Sequence, residues 1–325
     1  MRDEEYRLLL KACRDVSKRE PRLQLSQQES PEESAVSISD ELTGFLGAVH
    51  KDRERVRDSA FGTMQPLLAV YDIALLQVCD LSHLAWQELH GRTRLLWPSV
   101  SLPKRPSTTS VFYLLTSNLA QLLQAVRLLL LHGFEGQGRS MFRTFVELAD
   151  LTLAVVAYED VYRHYITNHD DSRAQYEHWR RHLSPAVIRR HLGRLDRELD
   201  LVATTAVPAE DVRDDTYRWF SLFSHVNMVA HLVSAYPEDL AGERAGPIAM
   251  LGEAGMMARS TFSRSLLYLW LFFLHLDRLL WERHFWNRFR GPRWRGRYLY
   301  RSRVFDTLFQ ENYNLLQGIK DEEGA

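Results

Sequence analysis

Cysteine, proline and glycine are all scarce in this chain of 325 residues, with 2 Cys, 11 Pro and 16 Gly. Two cysteines, Cys13 and Cys79, cannot build a disulfide framework, and metal sites made of paired thiolates are excluded. A reducing, cytoplasmic setting fits. So few helix breakers in a chain that is 45% apolar favour long helices over short strands. Excess charge of one sign is also lacking. With 41 basic and 42 acidic side chains, no global field selects nucleic acid or membrane. Lysine is rare and arginine greatly outnumbers it; arginine suits bidentate recognition of phosphate, but a total assigns no site. The start, Met1-Arg2-Asp3-Glu4-Glu5, lacks the basic residues and apolar run of a secretory signal. The most apolar run, 265–274, lies between Arg264 and Asp277 and is shorter than the ~20 residues that span a bilayer. A buried helix is expected there, and no membrane span.

The pattern along the chain predicts an all-α protein. Residues 1–18 read as an N-terminal helix. Residues 19–39 are rich in Glu, Gln, Ser and Pro and are expected to form a flexible linker, because they cannot bury enough apolar surface to order themselves. An N-terminal helical extension follows over 40–106, with helices at about 40–60 and 65–90 and Pro66 in the first turn of the second. A helical core domain is expected over 107–284. Its helices are placed near 107–131, 138–158, 211–235 and 248–284, with shorter polar helices over 159–203, one of them opening at Ser184-Pro185. Residues 285–325 make an arginine-aromatic segment followed by a last helix near 303–319.

Two helical stretches carry candidate chemistry. In the first, Arg139, Arg143, Glu147 and Asp150 fall in one narrow stripe at 100° per residue, and Arg143 and Glu147 can pair at i,i+4. Such a stripe is either a wet face or a polar seam toward a neighbouring helix. The second, 211–235, is apolar on nearly every side, which predicts burial. Arg218, Ser221 and His225 share one of its faces, and Ser221 and His225 are spaced to hydrogen-bond. Arg143, Glu147, Ser221 and His225 are therefore the candidate polar centre, since a core that admits charge must pair it. His225 is read either as a core histidine fixing helix register or as a general acid-base group.

The order Gly138…Arg143-x3-Glu147 and then Tyr217-x3-Ser221-x3-His225 resembles the bacterial helical family known as domain of unknown function 5677, itself similar to the HEPN helical domains. The resemblance covers roughly 110–280. It implies a HEPN-like helical bundle with Arg143, Glu147, Ser221 and His225 as its polar centre, and no settled activity. Catalytic HEPN domains cleave RNA without metal, using an Arg and a His a few residues apart, which implies Arg218 and His225 as the catalytic pair of a metal-independent endoribonuclease. The same spacing recurs here at Arg127/His132, Arg163/His169, Arg173/His178 and Arg278/His284.

The segment 283–303 holds eight arginines, no acid, and interleaved Phe, Trp and Tyr. Arg288, Arg290, Arg293, Trp294, Arg295 and Arg297 are its candidate contacts to RNA or to an acidic protein partner, with arginines on phosphates and aromatics on bases. Gly291-Pro292 and Gly296 suggest an exposed, irregular path. The alternative is a tail whose aromatics pack on the body while its arginines answer acids. No cofactor is expected. Gly136-x-Gly138 lacks the third glycine of a dinucleotide loop, and there is no phosphate-binding Walker loop. His178 and His182 lie at i,i+4, but the sequence supplies them no convincing further ligand, so no metal site is expected. The expectation is a helical binding or interaction protein associated with RNA, with the endoribonuclease as the alternative.

Overall fold

Helix is the only regular structure among the described residues of the computed structural model, which are 3–19, 30–90, 106–199, 201, 208–224, 256–282 and 292–312. The helices are α1 (Asp3–Arg19), α2 (Pro31–His90), α3 (Thr108–Leu131), α4 (Glu135–Ala157), α5 (Glu159–Ile166), α6 (Ser172–His182), α7 (Pro185–Glu198), α8 (Ala209–Ser224), α9 (Met256–Glu282) and α10 (Pro292–Glu311). The protein is an all-α helical bundle. It divides into two units, residues 1–58 and 59–325.

In the first unit, the expected linker is overturned over its second half. Residues 31–39 are the opening turns of α2, and 20–29 lie outside the described residues. The cause is a capping box. The Ser30 backbone N–H donates to Glu33 Oε2 (2.8 Å), and the Glu33 N–H donates to Ser30 Oγ (3.2 Å). Pro31 occupies the first helical position, where its missing N–H costs nothing. Arg14 of α1 donates twice to Glu32 Oε1, at 3.0 and 2.8 Å. Both groups are about half exposed, so this pair contributes little.

The two helices expected at 40–60 and 65–90 are one. Helix α2 continues through Pro66, and the division between units falls within it, at Asp58. A single proline removes one hydrogen bond from a 60-residue helix and does not end it here.

In the second unit, α3 and α4 form an antiparallel hairpin. Its turn is a Schellman motif. Phe134 N–H donates to Leu129 O (2.8 Å), Gly133 N–H donates to Leu130 O (3.2 Å), and Gly133 sits at φ 75°. The helix of 138–158 therefore begins three residues early, at Glu135. Helix α4 is the hub, packed against α3, α5, α7, α8 and α9. Phe142 and Phe145 are fully buried on it. Phe142 meets Phe220 of α8 at 4.7 Å, and Phe145 meets Phe272 of α9 at 6.3 Å between ring centroids. Each such ring stabilises the fold by about 1.5–3 kcal/mol relative to exposure. Tyr71 of α2 donates to Leu123 O of α3 (3.0 Å) and stands edge-on to Phe262 of α9.

The arginine-aromatic segment also differs from expectation. Its described part, from Pro292, is the start of α10 and not an irregular path. Pro292 takes the first helical position, and Tyr298, Phe305 and Phe309 are buried. Two stretches, Leu67–Gln87 and Thr108–Leu131, are long and apolar enough to cross a membrane by length and composition, and about half of each is buried within the protein.

Candidate functional site

The predicted polar centre divides between surface and undescribed chain. Arg143 and Glu147 do pair, with Nε and Oε1 3.2 Å apart, but at the rim of the bundle, where both are partly exposed. Arg143 Nη2 also donates to the Tyr217 hydroxyl of α8 (3.1 Å). The Arg189 guanidinium of α7 lies 4.3 Å from the Tyr217 ring centroid and bonds Asp214 at 3.3 Å. Arg218 is 79% exposed and approaches Asp214 at 3.7 Å. Helix α8 is thus not buried all round, because Arg218 and Leu222 both face solvent. Ser221 is half-buried on the same helix. His225 lies outside the described residues, as do Arg288 and Arg290. Arg293, Trp294, Arg295 and Arg297 stand in the first turns of α10, and their side chains are outside the described part. Farther along α10, Tyr298 donates to Asp277 (2.9 Å), Ser302 also donates to Asp277, and Arg301 pairs with Asp80.

The buried polar centre uses residues that the sequence pattern did not single out, together with Asp150, whose stripe was open to either a wet face or a seam. Asp150 (α4), Asp196 (α7), Arg213 (α8), Tyr268 and His275 (α9) are all at most 5% exposed. Arg213 Nη2 donates to Asp196 Oδ1 and lies 3.1 Å from His275 Nε2. His275 Nε2 is 2.5 Å from Asp196 Oδ1, and its Nδ1–H donates to Leu271 O (2.8 Å). The ring therefore has a partner in either state. Neutral, its Nε2 accepts from Arg213; charged, it donates to Asp196. Burial favours the neutral ring and holds its pKa below the ordinary value, against the pull of Asp196. The Tyr268 hydroxyl donates to Asp150 Oδ1 (2.6 Å). Burial lifts Asp150 to about 6, although Arg213 and Tyr268 oppose the shift. Burial also acts on Asp196, but the bonds from His275 and Arg213 outweigh it and leave that carboxyl below its usual range.

A second buried set lies about three turns earlier on α4. Arg139 is 0% exposed, and its Nε donates to Thr261 Oγ1 (2.9 Å). Its guanidinium lies 4.7 Å from the Trp219 ring centroid. Burial lowers its pKa to about 10, and Glu135, 3.9 Å away, works against that. Glu135 Oε1 accepts from the backbone N–H of Ala258 (2.9 Å), at the described start of α9, where a carboxylate is favoured. Arg139 and Asp150 are thus a seam between helices, while Arg143 and Glu147 on the same stripe stay wet. Both sets are closed to solvent, so what they do chemically is hold helices in register.

The open chemistry lies on α6 and α7. Helix α6 buries none of its residues. Tyr176 and Trp179 are 59% and 41% exposed and stack at 5.8 Å. The two helices carry seven arginines against three acids, one of which, Asp196, is in the core. Arg173, Arg189 and Arg194 are paired with acids. Among the described residues, Arg180, Arg181, Arg190 and Arg197 form no ion pair with an acid. Arg189, Arg190 and Arg197 line an open groove of about 510 Å³ with Gly193, Glu210 and Asp214. Beside α6, His164, His178 and His182 cluster with all three candidate ligand atoms within 4.8 Å of one another. The sequence pointed to two of these histidines; the third comes from α5.

No family model matches the chain, and no curated protein or solved structure matches it either.

Proposed function

We propose that the protein is a binding module that takes single-stranded RNA on α6 and α7. One observation carries this. Four arginines that form no ion pair with an acid share two neighbouring helices with the exposed, stacked pair Tyr176 and Trp179. Arginine gives phosphate contacts, and every base offers a face for stacking. On α6, Arg173, Tyr176 and Arg180 recur at i, i+3 and i+7 and so share a face. On α7, Arg190 and Arg197 are two turns apart on the groove. The proposal uses a different surface from the expected segment 283–303, whose described residues Tyr298, Arg301 and Ser302 are engaged by the body. An acidic protein partner is the competing ligand, and it would not reward the exposed aromatics in the same way.

The test is a fluorescence-anisotropy titration with labelled single-stranded and duplex RNA at several salt concentrations. The intact protein binds single strands more tightly, and affinity falls steeply with salt. The double variant Arg190→Ala/Arg197→Ala binds more weakly and has a flatter salt dependence. Absence of binding by the intact protein at low salt rejects the proposal.

The resemblance to domain of unknown function 5677 and to HEPN domains is supported by the helical bundle at the level of architecture alone. The endoribonuclease reading with Arg218 and His225 has one observation in its favour, the exposure of Arg218, which leaves it open to a substrate. It predicts RNA cleavage that survives chelation and is abolished by His225→Ala.

A further inference from the structure

Three histidines meet where α5 turns into α6. His164 lies in the last turn of α5, and His178 and His182 are one turn apart on α6. The rings of His164 and His182 are parallel, 3.7 Å between centroids, and His178 lies 4.9 Å from His182. Neither helix alone could assemble them; the loop 167–171 folds the second helix back on the first.

We propose that His164, His178 and His182 form a binding site for a borderline divalent metal ion of the zinc class, with His169 as the fourth ligand. An all-imidazole set suits zinc, copper, nickel or cobalt, and does not suit magnesium or calcium, which take oxygen ligands. Two further features of the site point the same way. His178 Nε2 lies 3.1 Å from the backbone carbonyl of His164 and donates to it, which leaves Nδ1 as the lone-pair donor. Metal-bound histidines are held in this manner by their second ring nitrogen. The loop histidine, His169, lies 4.9 Å from His178, ring to ring. Its Nε2 is buried and has no hydrogen-bond partner among the described residues. Its backbone N–H is held by Gln175 Oε1 at 2.9 Å, which anchors the loop to α6. An ion bound here would satisfy this buried nitrogen.

The geometry needs only local adjustment. Metal–nitrogen bonds of about 2.0–2.1 Å put tetrahedral ligands roughly 3.3 Å apart. Among His164, His178 and His182 the present spread of up to 4.8 Å closes by about 1.5 Å through side-chain rotation. The ion would cross-link α5, the loop and α6. This inference does not depend on the RNA proposal.

The experiment is isothermal titration of the metal-stripped full chain with zinc, accompanied by cobalt titration followed by visible absorption. One equivalent of zinc binds, cobalt gives the intense bands of a four-coordinate site, and magnesium gives no heat. Zinc raises the melting temperature, because it binds the folded chain. His178→Gln and His182→Gln each weaken zinc binding roughly a hundredfold or more. His169→Gln weakens it less and shifts the cobalt spectrum. The control His50→Gln/His83→Gln, which changes two histidines elsewhere on α2, binds as the wild type does. All of these positions are at least partly exposed, so folding is checked simply by circular dichroism. Absence of saturable zinc binding, or equal binding by His182→Gln and wild type, overturns the proposal and leaves a stacked set of rings.

Discussion

Arginine and histidine appear in two opposite settings in the second unit. In the core, Arg213 and His275 converge on Asp196 from α8 and α9, with Asp150 and Tyr268 beside them. On α5, α6 and α7, Arg180, Arg190 and Arg197 and the cluster of His164, His178 and His182 face open or half-open space. The residue types are the same, and the energetics are inverted. Inside, each charge has been taken from water and must be matched, so its protonation is governed by burial and by one or two neighbours. Outside, the charges are cheap to keep and are available to a ligand. Function is therefore sought where the groups are uncommitted, and stability where they are engaged.

The sharpest break of this contrast is Arg213→Ala against Arg190→Ala. Removing Arg213 strands Asp196 and Asp150 in the core and costs about 3–5 kcal/mol, measured by urea denaturation. Removing Arg190, which is exposed, changes stability by no more than about 0.5 kcal/mol. Equal effects would show that the core cluster is not the stabilising element the geometry makes it.

The next effect is a pH dependence. Asp150 titrates near 6 in the folded protein, against an ordinary value of 3.8. A raised folded pKa means that the native state holds its proton more tightly. The contribution is full below about 4 and is lost as pH rises through about 6. Wild type therefore loses stability relative to Asp150→Asn across that window, by roughly 2–3 kcal/mol. His275 acts in the opposite sense. Its folded pKa is depressed, so its contribution is present above the ordinary value of 6.5 and is lost as pH falls below it. The comparison with Asp150→Asn isolates the carboxyl, because both proteins keep His275. A pH-independent difference between them refutes the raised pKa.

A smaller loss is expected at the hairpin. A Cβ placed on Gly138 would stand 2.8 Å from Leu130 Cδ2 and 3.1 Å from its Cγ, and Leu130 is fully buried. Gly138→Ala therefore forces α3 and α4 apart slightly and costs about 1–3 kcal/mol in a thermal melt.

The two settings also differ in how legible they were. The all-α class followed from sparse breakers and long apolar periods, and the Arg143–Glu147 pair followed from spacing on a single helix. The start of α7 at Ser184-Pro185 was equally local. The core cluster was hidden because Asp150, Asp196, Arg213 and His275 stand on four different helices, and a periodic stripe does not say which neighbour it faces. Arg139 and Arg143 are one turn apart on α4, yet one is sealed and the other wet. The histidine cluster was half visible, since His178 and His182 are local while His164 lies 14 residues before His178 across a loop. The capping box at Ser30-Pro31-Glu32-Glu33 is present in the letters, inside a stretch whose polar composition alone points to disorder.

Trp179 gives the smallest change in stability and the cleanest separation of the two regions. Its ring is 41% exposed and, among the described residues, stacks on Tyr176 alone, itself 59% exposed. Truncation to alanine removes surface that the fold scarcely uses, so the midpoint of urea unfolding moves by no more than about 0.5 kcal/mol. The same truncation removes a stacking platform, which is worth about 1–3 kcal/mol for each base it holds. Single-stranded RNA affinity thus falls by roughly five- to a hundredfold while the fold is unchanged. Duplex affinity changes little, because paired bases offer no free face to the ring. Arg213→Ala shows the reverse pattern, a large loss of stability and, wherever the chain remains folded, unaltered affinity. If Trp179→Ala leaves single-strand affinity untouched, the exposed aromatics have no part in binding, and the arginines of α6 and α7 are then an ordinary solvated face.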